Sequence, residues 1–177
     1  MLKRVEVVDC LALATFYTVR IIAGAAAVSI SISFWLLTFS IFIFLSLAFV
    51  KRYAELVGQI QEGKQVQYGR AYVVSDHTLL QILGISSGYI STLVIGLYIR
   101  SEEVVTFYAQ PTAIWLAIPI LLFWVSWVWL KATRGEMHHD PIVFAATDRA
   151  SLVTAALTTA VFIYATIGMA FIGKDFG

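Results

Sequence analysis

Cys10-Leu-Ala-Leu-Ala-Thr-Phe-Tyr-Thr-Val-Arg20 opens a run of 41 residues, ending at Val50, in which Arg20 is the only charged side chain. A membrane-spanning helix needs about 20 apolar residues, so this run is long enough for two such helices. Ser29–Ser33 supplies the natural break between them. The pattern predicts one helix over about 7–28 and a second over about 34–50, with a polar extension over 51–56.

The composition supports the same class of protein over the whole chain. Of 177 residues, 60% are hydrophobic and 13% are charged, whereas soluble domains carry about 25% charged residues. The net charge of +1 gives no bulk attraction for nucleic acid. We therefore predict an all-α, multi-pass transmembrane bundle over residues 1–177, with no nucleic-acid partner. The three remaining helices are predicted over about 79–99, 113–130 and 151–172, and Pro119 is predicted to kink the second of these three.

Basic residues indicate how the bundle is oriented, because loops on the cytoplasmic side carry the excess of lysine and arginine. Nine of the twelve basic residues lie on one side of a five-helix arrangement, and only Arg100 and Lys174 lie on the other. The nine are Lys3, Arg4, Lys51, Arg52, Lys64, Arg70, Lys131, Arg134 and Arg149. The N-terminus and the two long polar loops are accordingly predicted to be cytoplasmic.

Arg20 is an ionisable residue inside a predicted span, where a charge costs a few kcal/mol. Asp9 precedes it by eleven residues, about three helical turns, and Tyr17 lies one turn away. We expect Asp9 and Arg20 to share one face that points into a protein or water-filled interior. A guanidinium there suits an anionic phosphate; the alternative is a purely structural pairing with carbonyls or a neighbouring helix.

Charged residues also gather where the second helix ends and the third begins. Basic groups and carboxylates at the mouth of a helical bundle suit a diphosphate bound through Mg²⁺. The alternative is that the basic residues only set topology or anchor the helix ends. The residues concerned are Lys51, Arg52 and Glu55, followed by Arg70, Tyr72 and Asp76.

The last polar loop contains His138 and His139 followed by Asp140 and Pro141. Adjacent histidines do not converge on one point of a helix, so a solvated loop is favoured over a metal site. Asp140 before Pro141 is typical of an N-cap and first helical position, and predicts a short amphipathic helix that includes Phe144.

Small residues line the predicted third helix at Gly84, Ser86, Ser87, Gly88 and Ser91. Residues of this size let helices approach one another closely inside a membrane. We predict that this stripe serves packing first.

Several short sequence motifs, separated from one another and occurring in the same order, resemble those of the UbiA superfamily of intramembrane prenyltransferases. They are Phe34–Leu56, Gly69-Arg-Ala-Tyr72 with Asp76, Arg134-Gly-Glu-Met137, Asp140-Pro-Ile-Val-Phe144, and Asp148-Arg149. The likeness covers essentially the whole chain. It is greatest to the bacterial branch often fused to a haloacid-dehalogenase-like domain and related to decaprenyl-phosphate phosphoribosyltransferases.

The resemblance implies the last five helices of a nine-helix bundle in the bacterial inner membrane. It implies Mg²⁺ as cofactor, a polyprenyl phosphate or diphosphate as lipid substrate, and an acceptor or phosphoribosyl donor as partner. The implied catalytic residues are Arg20, Lys51, Arg52 and Glu55, with Asp76 for the metal. The implied substrate-binding residues are Lys3, Arg4, Tyr17, Arg70 and Tyr72.

The sequence also departs from that family. The first aspartate-rich motif is absent, His139 and Trp127 replace an aspartate and an arginine common in the branch, and activity is expected to need a separately encoded or missing N-terminal half. The competing hypotheses are a small transporter or channel subunit that uses Asp9 and Arg20 as a relay, and an inactive fragment.

Overall fold

The computed structural model describes residues 7–61, 74–137 and 140–168. The opening hydrophobic run forms two helices, α1 (Val8–Ala27) and α2 (Phe34–Gln61), so the predicted break is confirmed. α2 is the longer because the amphipathic residues after Val50 continue it well beyond the predicted polar extension. A single chain segment thus supplies two antiparallel spans, as its length requires.

The remaining elements are helical as well, and no strand occurs in the part of the chain that the structure describes. Five helical segments are long and apolar enough to cross a membrane, which confirms the predicted all-α multi-pass bundle. The further helices are α3 (His77–Tyr98), α4 (Glu102–Phe107), α5 (Ala117–Thr133), α6 (Pro141–Thr147) and α7 (Arg149–Ile167), with short 3₁₀ helices over Val74–Asp76 and Pro111–Leu116.

Two predicted details of the last spans change. Pro119 lies in the first turn of α5, just after the 3₁₀ helix gives way to the α-helix, and not in the middle of a helix where it would cause a kink. The last span begins earlier than predicted because Asp148 caps it, accepting a hydrogen bond from the Ser151 amide at 2.9 Å. Its described part ends at Ile167.

α2 lies at the centre of the bundle and packs against α1, α3 and α5, while α7 packs against α5. The closest approach is at Gly84 of α3, where an added Cβ would collide with the Trp129 ring and lie 2.8 Å from Phe49 Cβ. Trp129 Nε1 donates to Ser46 Oγ at 3.1 Å, and that hydroxyl donates to the Gly84 carbonyl at 2.7 Å. The small residues of α3 therefore serve helix packing, as predicted.

The two ends of the bundle differ in chemistry. We call the end that contains the start of α1, the last turns of α2 and α6 the charged end, because interhelical ion pairs gather there. We call the opposite end the aromatic end. At the aromatic end, neighbouring elements contact one another through a row of rings formed by Trp35, Tyr98, Tyr108 and Phe162.

Candidate functional site at the charged end

The first element of the site is an ion triad between α1 and α2. Asp9 lies in the first turn of α1, where the helix dipole favours a carboxylate. Its Oδ2 is 2.5 Å from Arg52 Nε. Arg52 Nη1 also lies 2.8 Å from Glu55 Oε2, one turn further along the same helix. Two of the three predicted site residues of α2, Arg52 and Glu55, therefore meet, and Asp9 joins them from the neighbouring helix.

The second element is an ion pair between α2 and α6. Lys51 Nζ lies 2.5 Å from Asp140 Oδ2, and Asp140 Oδ1 accepts the Ile142 amide at 3.1 Å. The predicted N-cap at Asp140 is thus confirmed. Burial opposes ionisation of this carboxyl group, but the hydrogen bonds from Lys51 and Ile142 outweigh burial and lower the pKa of Asp140. The carboxylate accordingly remains charged at neutral pH.

These five residues form what we call the charged cluster: Asp9, Lys51, Arg52, Glu55 and Asp140. It contains two cations and three carboxylates, so it has no excess positive charge for a phosphate in this arrangement. The two cations differ in access. The Arg52 side chain is 18% exposed and contacts two carboxylates, whereas the Lys51 side chain is 35% exposed and contacts one. Lys51 is the cation better placed to meet a ligand.

A narrow crevice leads from Lys51 between α1, α2 and α6. Its cavity volume is about 10 Å³, the lower limit for one water molecule. Apart from Lys51 and Asp140, the crevice presents one polar ring, that of Tyr17, which packs on Phe44 at a centroid distance of 5.3 Å. The remaining lining residues are Leu13, Leu47, Ala48, Pro141 and Ile142. An ammonium group thus lies at the mouth of an apolar slot.

Arg20 differs from Asp9 in its burial. Within the described residues Asp9 is buried and Arg20 is exposed, so this chain itself encloses only one of the two charges. The separation of eleven positions places them about 16 Å apart along α1, and α2 covers this face at Asp9 without covering it at Arg20. The guanidinium instead stacks on Tyr17, with Cζ 5.3 Å from the ring centroid. Tyr17 therefore connects Arg20 to the crevice.

The structure does not assemble a metal site from the predicted residues it describes. No group of three or more His, Cys, Asp or Glu side chains able to hold a metal occurs within residues 7–61, 74–137 and 140–168. Asp76 ends the 3₁₀ helix before α3, and the role in metal binding predicted for it stays a prediction. Six residues singled out from the sequence lie outside the described ranges: Lys3, Arg4, Arg70, Tyr72, His138 and His139.

Sequence reasoning missed the contacts that fix α7 beside the site. Trp127 Nε1 donates to Asp148 Oδ2 at 3.1 Å, and Trp124 Nε1 donates to Ser151 Oγ at 3.1 Å. Trp127, noted above only as a departure, thus holds the N-cap of α7, and Lys131 Nζ lies 4.8 Å from the centroid of its ring. A buried indole N–H generally has a hydrogen-bond acceptor, so the tryptophans themselves were the sequence signal that could have predicted these contacts.

A larger cavity lies elsewhere, between α3 and α5, with a volume of about 230 Å³. It opens on the outer surface of these helices, where Tyr89 Oη and Ser126 Oγ are 3.1 Å apart. Gln81, Trp129 and Thr133 also line it, but no Lys, Arg, Asp or Glu does. Without a charged group it cannot neutralise a phosphate, so the crevice at Lys51 remains the better candidate site.

Comparison with known proteins gives two bacterial relatives. Over 165 residues the chain is 33% identical to an uncharacterized protein, y4nM, of Sinorhizobium fredii, which covers 93% of this chain and 32% of that protein. Over 151 residues it is 35% identical to the nodulation protein NoeC of Azorhizobium caulinodans, which covers 83% of this chain and 48% of that protein. No family model and no solved structure matches. The chain thus spans between a third and a half of the length of these relatives.

Proposed function

We propose that this chain is the C-terminal, membrane-embedded part of a UbiA-type transferase that acts on a polyprenyl phosphate or diphosphate at its charged end. Three features support this assignment: the short motifs in their order along the sequence, the five spans, and the cations at one end of the bundle. The greater length of both relatives is consistent with a catalytic unit larger than 177 residues. The name of the Azorhizobium relative places that protein in nodulation and states no reaction.

Lys51 at the mouth of the apolar crevice is the observation that carries the proposal. A polyprenyl phosphate has an anionic head on a hydrocarbon chain. The crevice offers the matching pair, an ammonium at its mouth and leucine and isoleucine side chains along its wall. In prenyl transfer, diphosphate leaves the prenyl carbon; in the phosphoribosyl reaction, the polyprenyl phosphate displaces diphosphate from the sugar. Both reactions need a cation beside the phosphate, the role we assign to Lys51.

The other predicted residues take different parts in this proposal. Arg52 is a positioning residue, because it is already bound to Asp9 and Glu55 and thereby fixes α1 against α2. Arg20 acts through Tyr17, whose ring forms part of the crevice wall. The apolar spans exclude water from the reacting carbon, which protects a reactive prenyl group from hydrolysis.

Mg²⁺ belongs to the proposal only through residues beyond those described. The carboxylates of the charged cluster are engaged with Lys51 and Arg52, and they do not form a metal-binding group. A metal-dependent reaction therefore needs additional carboxylates, such as those of the first aspartate-rich motif of the UbiA superfamily, which this sequence lacks. The basic residues favour a bacterial inner-membrane protein with its charged end on the cytoplasmic side.

The test supplies this chain and an N-terminal half, encoded by the longer reading frame or a neighbouring gene, in bacterial membranes. Labelled polyprenyl diphosphate with aromatic acceptors, and labelled polyprenyl phosphate with phosphoribosyl diphosphate, are assayed with and without Mg²⁺. We expect labelled lipid product from one of the two pairs and a loss of at least about tenfold in Lys51→Gln, equivalent to about 1.4 kcal/mol of transition-state stabilisation.

Lys131→Gln is the matched control, because Lys131 also follows the apolar part of a long helix and also pairs with a carboxylate, that of Glu136. Product formation in this variant should stay close to wild type. Substrate flux across vesicles without chemical conversion would instead support a transporter and contradict the transferase.

A further inference from the structure

The crevice at Lys51 is closed in this structure, and α6 closes it. Pro141 and Ile142, the first residues of α6, form one wall, and Asp140 contacts the Lys51 ammonium directly. The remaining volume of about 10 Å³ leaves no room for a phosphate group. A lipid phosphate can therefore enter the crevice beside Lys51 only if α6 shifts and Asp140 gives up its contact.

The Lys51–Asp140 pair is suited to such an exchange. The two side chains are 35% and 31% exposed, and ion pairs with this much exposure contribute little to stability. A phosphate offers more negative charge and more acceptor oxygens than one carboxylate. The Asp9–Arg52 pair is more enclosed, at 10% and 18% exposure, so it holds α1 and α2 together while Lys51 changes partner.

We propose that Asp140 is a competing counter-ion that holds α6 over the polyprenyl-phosphate site as a latch. Binding of the lipid phosphate replaces Asp140 on Lys51 and releases the start of α6. No covalent step is involved. This inference rests on the proposed function, since it names the contact that controls entry to the same site.

Asp140 can be neutralised without removing the helix cap. Asparagine and serine cap helices about as well as aspartate, so Asp140→Asn and Asp140→Ser keep an acceptor for the Ile142 amide while removing the charge opposite Lys51. Asp148→Asn is the matched control. Asp148 caps α7 through the Ser151 amide and contacts Trp127, and it makes no ion pair with Lys51.

The experiment measures binding of labelled farnesyl phosphate to the purified chain in nanodiscs. Removing the competing carboxylate should tighten binding by about 2–5-fold in Asp140→Asn and Asp140→Ser, and leave it unchanged in Asp148→Asn. Lys51→Gln and Lys51→Gln/Asp140→Asn should bind equally weakly, since Asp140 acts only through Lys51. Inorganic phosphate and farnesol are tested as competitors of farnesyl phosphate. Strong competition by either one would indicate a site for free phosphate or for an apolar tail, and weak competition by both would indicate a site for the intact lipid phosphate.

A second measurement uses the wild-type chain alone. Farnesyl phosphate should increase hydrogen exchange at the backbone amides of α6 and not at those of α7. Unchanged or weaker binding in both Asp140 variants, or unchanged exchange in α6, would overturn the latch while leaving the proposed substrate in place. Absence of farnesyl phosphate binding in every variant would also overturn the latch, whereas the proposed function is decided separately by product formation with the N-terminal half.

Discussion

The charged end and the aromatic end hold different helices to α2 by different means. At the charged end, α1, α2 and α6 are joined by ion pairs between Asp9 and Arg52 and between Lys51 and Asp140. At the aromatic end, α2 contacts α3 through the rings of Trp35 and Tyr98, with centroids 6.2 Å apart. An ion pair can exchange one partner for a ligand of the same charge, whereas a ring contact offers no such exchange. Ligand binding is therefore expected at the charged end.

The two ends should also respond differently to substitution. Removing one partner of an enclosed ion pair leaves a charge without compensation and costs about 3–5 kcal/mol. Removing one ring from an aromatic pair costs about 0.5–1.5 kcal/mol beyond the loss of buried area. The charged end is thus the more sensitive of the two, although its groups are more polar.

Arg52→Met should show the largest effect. It keeps much of the side-chain volume but removes the guanidinium that contacts Asp9, whose side chain is 10% exposed. We expect the free energy of unfolding to fall by about 3 kcal/mol, measured by denaturant titration in mixed micelles with tryptophan fluorescence. The decrease in stability should come from the loss of the Arg52 charge and not from lost packing.

The triple variant Asp9→Asn/Arg52→Met/Glu55→Gln separates these causes. With both carboxylates neutralised, the triple variant should recover most of the lost stability, because it leaves no buried charge of the triad without compensation. A triple variant as unstable as Arg52→Met would show that the packing of the arginine stem matters more than its charge.

Gly84→Ala tests the core that connects the two ends and should have the next largest effect. The added methyl group would displace the Trp129 ring, which packs on Tyr53 near the charged end at a centroid distance of 5.7 Å. Overpacking of this kind costs about 1–3 kcal/mol. Gly24→Ala is the control, since nothing lies within 4 Å of its added Cβ. Equal stabilities of the two variants would contradict the close helix contact.

The spans and the Asp140 cap could be predicted because each depends on local sequence. A run of 41 residues with one charge has to form two membrane-spanning helices whatever they pack against. Asp140 before Pro141 specifies an N-cap by the chemistry of two adjacent residues. Such features need no knowledge of the rest of the chain, and the structure contains them.

The partners of the charged residues could not be predicted in the same way. Lys51 and Asp140 are 89 residues apart, and no periodicity relates them. Helical spacing correctly placed Asp9 and Arg20 on one face of α1 but could not say how far α2 covers that face. The charge balance of the cluster, and with it the choice of Lys51 over Arg52, follows only from the tertiary contacts.

Tyr98→Leu should have the smallest effect, and it tests the aromatic end. Tyr98 contacts Trp35 at 6.2 Å and Tyr108 at 6.3 Å, so its loss removes two ring contacts between elements. We expect a decrease of about 1 kcal/mol in the free energy of unfolding. Tyr164→Leu is the matched control, because Tyr164 is 49% exposed and lies outside this row of rings.

The same Tyr98→Leu variant should leave farnesyl phosphate binding at wild-type strength, since the aromatic end lies a full span away from Lys51. A loss of binding as large as that in Lys51→Gln would mean that the two ends are coupled through α2. In that case the ring contacts of the aromatic end would help to position the charged end, and the assignment of ligand binding to the charged end alone would be wrong.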